Sequence, residues 1–272
     1  MVRIALLQAT TGIDPARNAD LLAQAAERAG NGGAAMLFTP EMSGLLDRDR
    51  ARAAPHIVSE GDNAALSAMQ QAAREHGLWI ALGSLAIRNE DGSLANRSFV
   101  IDSRGEIVAR YDKIHMFDVA LGDGDDWRES AAYRAGSDIV TVAGTPVGRL
   151  GLTICYDLRF PALFEALGRE SCDAIAIPAA FTVPTGRAHW HILQRARAIE
   201  ASAFVIAAAQ AGRHEDGRET FGHSLVVDPW GEVLLDMGSA GGQVGFCDID
   251  LARIAEVRTR LPSLANRRPI RP

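Results

Sequence analysis

Cys155 stands in the stretch Gly151-Leu152-Thr153-Ile154-Cys155-Tyr156-Asp157-Leu158-Arg159-Phe160-Pro161, where the chain changes character. Before it, Val147 to Ile154 is a short apolar run, partly β-branched and bounded by turn residues, which predicts a buried strand. After it, Phe160 to Leu167 carries apolar residues at helical spacing, with Pro161 suited to a first helical turn. A cysteine at such a junction can turn its sulfur toward free backbone N–H groups and the positive end of a helix, which favour the thiolate. An unperturbed thiol, with a pKa near ~8.5, is mostly protonated at neutral pH, so a nucleophile here needs a base or a charge. The other reading of Cys155 is a small residue filling a strand end.

Two residues offer that help. Glu41 follows an apolar run, Ala35 to Thr39, and Pro40, which puts it at the same strand-end level as Cys155. A carboxylate at the mouth of a cleft is partly desolvated, which raises its pKa toward that of a useful base. Lys113 follows the predicted strand Glu106–Tyr111 and can hold a positive charge against an oxyanion. Taken singly, each also reads as an ordinary exposed charge.

The elements that must bring these three together come in two similar sets. Val2–Gln8 predicts a first buried strand, Asp14 or Pro15 to Gly30 an amphipathic helix, and Ala35–Thr39 a second strand. A helix over Asn63–His76, stopped by Gly77, precedes strands at Leu78–Ile87 and Leu94–Ile101. In the second half Ala174–Pro178 matches Ala35–Pro40, Ser202–Ala208 after the helix Arg187–Glu200 matches Gly77–Gly83, and Ser224–Glu232 matches Ser98–Glu106. The order is the same in both halves, so the chain predicts an α/β fold of two layers related by an internal pseudo-twofold. Facing sheets with helices outside make a four-layer α-β-β-α sandwich. No Gly/Ser- or Pro-rich linker divides the chain, which reads as a single domain over 1–272 with a short C-terminal tail from about 261. The Gly/Asp-rich loop Leu121–Ala135 between the halves is long enough to predict a functional role.

Composition bounds the alternatives. With 272 residues, 47% hydrophobic and 23% charged, the chain can bury a large core. A net charge of −6 argues against an obligate nucleic-acid binder. Three cysteines, Cys155, Cys172 and Cys247, without Cys-x-x-Cys spacing make neither a disulfide framework nor a zinc site. The apolar N-terminus is too short for a signal peptide, and no window approaches the ~20 apolar residues of a membrane helix. A cytoplasmic protein without membrane attachment is the expectation.

Phe38-Thr39-Pro40-Glu41, Tyr111-Asp112-Lys113-Ile114-His115 and Ile154 to Pro161 together resemble the nitrilase superfamily of carbon–nitrogen hydrolases, whose Glu, Lys and Cys occur in this order. The resemblance runs from about Val2 to Pro269. Within the superfamily Gly186–Trp190, Arg195–Glu200, Ala208–His214 and Gly222–Gly231 look most like the branch of deaminated-glutathione amidases and ω-amidases, and Gln210–His214 points to the former. The resemblance implies that Glu41 takes the thiol proton and later gives it to the departing group. That departing group is ammonia in this reading. The resemblance also implies that Cys155 attacks the amide carbonyl to form a thioester, and that Lys113 and the backbone N–H of Tyr156 hold the oxyanion. Glu129, in Trp127-Arg128-Glu129-Ser130, matches a second glutamate that orients the lysine. Asp112 departs from the pattern, since relatives often carry a basic residue there. The resemblance implies no cofactor and no metal. It implies a homodimer or larger homo-oligomer built on Arg187–Glu200, the helix after Phe160 and the basic tail Arg267–Arg271.

Substrate contacts are less constrained. Arg159 is placed to grip a substrate carboxylate or to form a structural ion pair. Phe181 and Thr182 either line the opposite wall or pack a loop, and Arg213 and His214 read as rim or solvated surface. His189 and His191, two apart on a helix, point to different faces and make a poor metal pair. Asp123, Asp125 and Asp126 lack calcium-loop spacing, Gly222-His223-Ser224 lacks the final glycine of a serine elbow, and Cys172 and Cys247 read as core or near-surface. The leading expectation is an amidase for a small carboxylated amide such as deaminated glutathione. Its rivals are an ω-amidase for α-ketoglutaramate, a nitrilase or N-carbamoyl amidohydrolase, a cysteine hydrolase pairing Cys155 with His115 or His223, and a silent scaffold of this fold.

Overall fold

The structure, a computed structural model, describes residues 1–120 and 126–268. Part of the predicted loop 121–135, with Asp123 and Asp125, and the tail from Pro269 lie outside the described residues. The chain opens with strand β1 (Val2–Gln8), then helix α1 (Pro15–Asn31), whose N-cap Asp14 accepts from the N–H groups of Ala16 and Arg17. Strand β2 (Met36–Phe38), a single turn α2 (Arg50–Ala53) and helix α3 (Ala64–His76) follow. Asn63 caps α3, and Gly77 ends it at φ 61°, a left-handed conformation open to glycine at little cost. The first half continues through β3 (Trp79–Arg88), β4 (Leu94–Ile101) and β5 (Ile107–Asp112), with a small hairpin of β6 (Asp118–Ala120) and β7 (Asp126–Arg128). The second half comprises β8 (Thr141–Thr145), β9 (Gly148–Leu152), α4 (Pro161–Arg169), β10 (Ala174–Ala176), α5 (Val183–Ala201) and β11 (Phe204–Ala207). A hairpin of β12 (Ala211–Arg213) and β13 (Glu219–Phe221) leads to β14 (Leu225–Val227), β15 (Val233–Asp236), β16 (Gln243–Ile249) and α6 (Ala252–Arg260).

The strands form two six-stranded sheets, in the orders β16-β1-β2-β3-β4-β5 and β15-β14-β11-β10-β9-β8. Laid on one another, the orders match β1 to β5 with β9, β10, β11, β14 and β15. The senses agree: parallel among the first three, antiparallel for the next two. The sixth strand of each sheet comes from the other half. β8, after the first half, pairs antiparallel with β9, and β16, after the second, pairs antiparallel with β1. This exchange completes the expected pseudo-twofold and ties each half of the chain into the other half's sheet.

Between the sheets, Ile4, Leu6, Met36 and Phe38 pack with Leu150, Leu152 and Ile206 in one buried cluster. α1 and α3 cover the outer face of the first sheet through Leu22, Ala26, Leu66 and Met69. Phe164 and Leu167 of α4 and Trp190 of α5 belong to the core of the second. The α-β-β-α sandwich is therefore the observed architecture.

One local expectation is corrected. The strand before Cys155 ends at Leu152, Cys155–Arg159 is a 3₁₀ turn, and α4 begins only at Pro161. Cys155 thus sits on a tight turn and lacks the α-helix N-terminus on which a stabilised thiolate was expected. In the tail, Arg267 donates to the carbonyls of Glu165 at 2.9 Å and Glu200 at 3.3 Å, docking on α4 and α5 of its own chain.

Candidate active site

Glu41, Lys113 and Cys155 share the wall of a cavity of about 590 Å³ at the ends of the inner strands. Glu41 leaves β2 through Thr39 and Pro40, where β3 passes very close. A Cβ on Gly83 would lie 2.0 Å from the Thr39 carbonyl oxygen, so only glycine lets the two segments touch. The Glu41 carboxylate is buried and fully engaged. Oε1 accepts from Lys113 Nζ at 2.8 Å and Asn96 Nδ2 at 3.0 Å, and Oε2 accepts from the backbone N–H of Ala180 at 3.0 Å. The Glu41 carbonyl accepts from Gln210 Nε2 at 2.9 Å. Ala180 and Gln210 belong to the second half, so the pseudo-twofold brings both halves onto this one acid.

Lys113 leaves β5 and is buried. Its Nζ donates to Glu41 and to both oxygens of Glu129, at 3.1 and 2.8 Å. Glu129 is fixed in turn by the backbone N–H of Phe117 at 2.7 Å and by Asn96 Nδ2 at 3.0 Å. Burial alone would push the Lys113 pKa down, but the carboxylates of Glu129 and Glu41 outweigh it, and the ammonium holds its proton well above the usual lysine range. Asn96 on β4 supplies one amide to two carboxylates and so keeps both on the lysine.

Cys155 adopts φ 47°, in the left-handed region, which costs a residue with a Cβ about 1–2 kcal/mol. Its own N–H holds the turn in place by donating to Pro178 O at 2.8 Å. Burial pushes its thiol well up, the Glu41 carboxylate pushes it further, and Lys113 offsets this only in part. The resting residue is a thiol beside the Glu41 carboxylate. Among the described residues no acceptor takes the N–H of Tyr156, the next in the turn.

Below the turn, Asp157 is completely buried and accepts four hydrogen bonds. Tyr111 Oη and the N–H of Ile154 donate to Oδ2, at 2.6 and 2.9 Å. The N–H and Nδ1 of His115 lie 3.0 and 2.7 Å from Oδ1. Tyr111 and His115 bracket Lys113, so this one carboxylate ties the lysine strand to the cysteine turn. His115 is spent on Asp157 and stacks on Phe160, with 3.6 Å between ring centroids. His223 lies 2.9 Å from Asp236, which also holds His191. Neither His115 nor His223 lines the cavity, so the geometry gives Cys155 no histidine base.

Phe181, Thr182 and Tyr156 line the same cavity as Cys155. Arg159 does not line it. Its guanidinium lies over the rings of Phe181 and Tyr156, 5.3 and 5.9 Å from their centroids, and contacts His189 at 3.3 Å. Asp112 turns away from the site into a fork with Arg97 at 2.6 and 2.8 Å. His214, expected at the rim, is buried between Thr11 O and Thr220 Oγ1, at 2.9 and 2.8 Å. Tyr133, which the sequence did not single out, lines the cavity, and burial with help from Glu129 pushes its phenol up to about 12. It is a neutral donor at physiological pH.

Comparisons with known proteins agree with this geometry. The family model described as carbon–nitrogen hydrolase matches residues 3–259. A deaminated glutathione amidase of Yersinia enterocolitica is 41% identical over 268 residues, 97% of this chain and 92% of that protein. The solved NitFhit protein of C. elegans superposes with a TM-score of 0.90 at 35% identity, over 98% of this chain, and the chain spans 65% of that protein. A mutant of the amidase from Nesterenkonia sp. AN1, solved after Michael addition of acrylamide at its active-site cysteine, has a TM-score of 0.78 at 26% identity. The match covers 96% of this chain and 98% of that one.

Proposed function

This chain belongs to the carbon–nitrogen hydrolase family and is an amidase; we propose that it cleaves the γ-amide of deaminated glutathione through a thioester on Cys155. The observation that carries the reading is the cluster itself: Lys113 Nζ lies 2.8 Å from both Glu41 and Glu129 in the cavity that holds the Cys155 thiol. In the proposed reaction Glu41 takes the thiol proton as sulfur attacks the amide carbonyl. Lys113 and the Tyr156 N–H hold the oxyanion, an interaction worth on the order of 10²–10³ in rate for one such donor. Collapse expels the amine with the proton that Glu41 had taken, leaving the thioester. Water, deprotonated by Glu41, then attacks the thioester, and the thiolate leaves and recovers its proton. Glu129 touches no reacting atom and acts by positioning Lys113, while Phe181 and Thr182 contact the substrate.

The relative from Yersinia enterocolitica carries the name of this activity, and the cavity volume suits an amide longer than a primary one. The reading treats the chain as one catalytic domain over 1–272 without a cofactor. It places the enzyme in the cytoplasm, where its three unpaired cysteines stay reduced. Among the described residues no helix is long and apolar enough to cross a membrane. The exposed Ile192 and Ile199 of α5, seven residues apart on one helix, support a homodimer built on that face. Light scattering showing only monomer at micromolar concentration would remove that part.

The test of function is kcat/KM on deaminated glutathione against α-ketoglutaramate, with Cys155→Ala alongside. Preference for the former, abolished by the substitution, is expected. Preference for α-ketoglutaramate would assign the enzyme to the ω-amidase class.

A further inference from the structure

The cavity holds a second group of charges that the reaction leaves unused. Trp127 on β7 carries the guanidinium of Arg218 on its ring at 4.9 Å and that of Arg48 at 5.7 Å, and all three residues line the cavity. Both arginines are tied to Asp216, whose side chain is completely buried. Asp216 Oδ2 accepts from the backbone N–H of Arg48 at 2.9 Å and from Arg218 Nε at 2.7 Å, while Oδ1 accepts from the backbone N–H of Arg218 at 3.1 Å. Among the described residues only Nε of Arg218 is spent, which leaves both terminal NH₂ groups of its fork for a ligand. Among the described residues Arg48 has no carboxylate partner, and Asp47 beside it is occupied by a fork from Arg52 at 2.6 and 2.7 Å. Glu219, the remaining acid of this wall, is exposed.

A planar fork held on an aromatic face and aimed into a cavity is suited to bidentate capture of a carboxylate. Because it is already ordered, little side-chain freedom is lost on binding. The position along the chain says which half of the substrate it meets. In the proposed reaction the departing amine receives its proton from Glu41, so that half lies on the Glu41 side. The cavity wall continues from Glu41 through Met42, Leu45 and Leu46 to Arg48.

We propose that Arg48 and Arg218, stacked on Trp127 and anchored by Asp216, form a carboxylate subsite for the departing amine. The substrates it selects are amides whose amine half is a short, carboxylate-ended peptide. The inference rests on the amidase reading of the same cavity and adds what that reading leaves open, the residues that recognise the far end of the substrate.

The test uses three amides of 2-oxoglutarate: the cysteinylglycine amide, the same compound with its C-terminal carboxylate converted to carboxamide, and α-ketoglutaramate. Each is measured by kcat/KM on the wild-type enzyme, Arg48→Gln and Arg218→Gln. Wild type is expected to prefer the carboxylate over the carboxamide on the order of 10–100-fold, mostly through KM. Either variant is expected to bring that ratio toward one. Arg48→Gln keeps the backbone bond to Asp216, so it tests the subsite even if Arg218→Gln disturbs its loop. Equal wild-type rates on carboxylate and carboxamide, or a full ratio in both variants, would overturn the subsite while leaving the amidase intact. No turnover of any of the three would overturn the reading beneath it as well.

Discussion

Replacing Asp157 by asparagine isolates the joint between the lysine strand and the cysteine turn. The carboxylate receives two donors on each oxygen, from Tyr111 and Ile154 on one side and twice from His115 on the other. An asparagine offers only one acceptor oxygen. Whichever way its amide faces, one side chain can reverse its role, either the Tyr111 hydroxyl or the His115 ring, but one buried backbone N–H is left facing an NH₂ group. That orphan costs about 1–3 kcal/mol, and the loss of charge in the remaining bonds adds roughly 1 kcal/mol more. Thermal unfolding of Asp157→Asn should therefore fall by roughly 5–15 °C. Because Asp157 ties the Lys113 strand to the Cys155 turn and does not line the cavity, the kinetic loss should fall on kcat, about 10–100-fold, with KM little changed. Tyr111→Phe removes a single donor and should cost about 1.5 kcal/mol with a smaller kcat effect. An Asp157→Asn enzyme with wild-type Tm and kcat would refute the reasoning.

Three further outcomes follow from the same contacts. Glu41→Gln removes the proposed base from a thiol that burial and Glu41 itself hold protonated, so kcat should drop on the order of 10²–10⁴-fold in steady-state assays; retention of a tenth of the activity would contradict this. Lys113→Met leaves Glu41 and Glu129 as uncompensated buried acids, and urea titration at pH 7.5 should show a loss of about 3–5 kcal/mol. Protonating one of the two carboxylates relieves their repulsion, so the deficit should shrink as pH falls toward 5, and a deficit independent of pH would exclude the cause given. Burial pushes the His214 pKa below its ordinary 6.5, so the folded state binds fewer protons than the unfolded one below that pH. Stability should decline as pH falls from 6.5, by at most ~1.4 kcal/mol per unit, and His214→Gln should flatten that limb in pH-dependent denaturation.

Glu41, Lys113 and Cys155 each lie just past a predicted strand, but strand position alone left exposed charges and a core cysteine as readings; their order along the chain, which resembles that of the nitrilase superfamily, singled them out. The pairing of the halves was legible directly: Ser98–Glu106 and Ser224–Glu232 carry the same turn chemistry and became β4–β5 and β14–β15. The exchange of β8 and β16 was not, since a short strand such as Thr141–Thr145 carries no signal for the sheet it joins. Asn96 looked like a polar residue in a strand until β4 was seen beside β5, with Lys113 N–H donating to the Asn96 carbonyl. Gln210 marked a family branch by its type, but its hold on the Glu41 carbonyl depends on the sheets facing one another. Arg48 and Arg218 lie far apart in sequence, and Asp216 joins them through loop geometry that no periodicity encodes. At Cys155 a 3₁₀ turn stands where a helix N-terminus was expected, so no helix end favours a thiolate there, and burial with the Glu41 carboxylate pushes the thiol up.

The account turns on a covalent bond to Cys155. Acid quenching of the enzyme during turnover of deaminated glutathione, followed by intact-mass and peptide mass spectrometry, reads it directly. A 2-oxoglutaryl adduct mapped to Cys155, absent with product formation in Cys155→Ala, is the expected result. Turnover by Cys155→Ala, or an adduct on another residue, would contradict it.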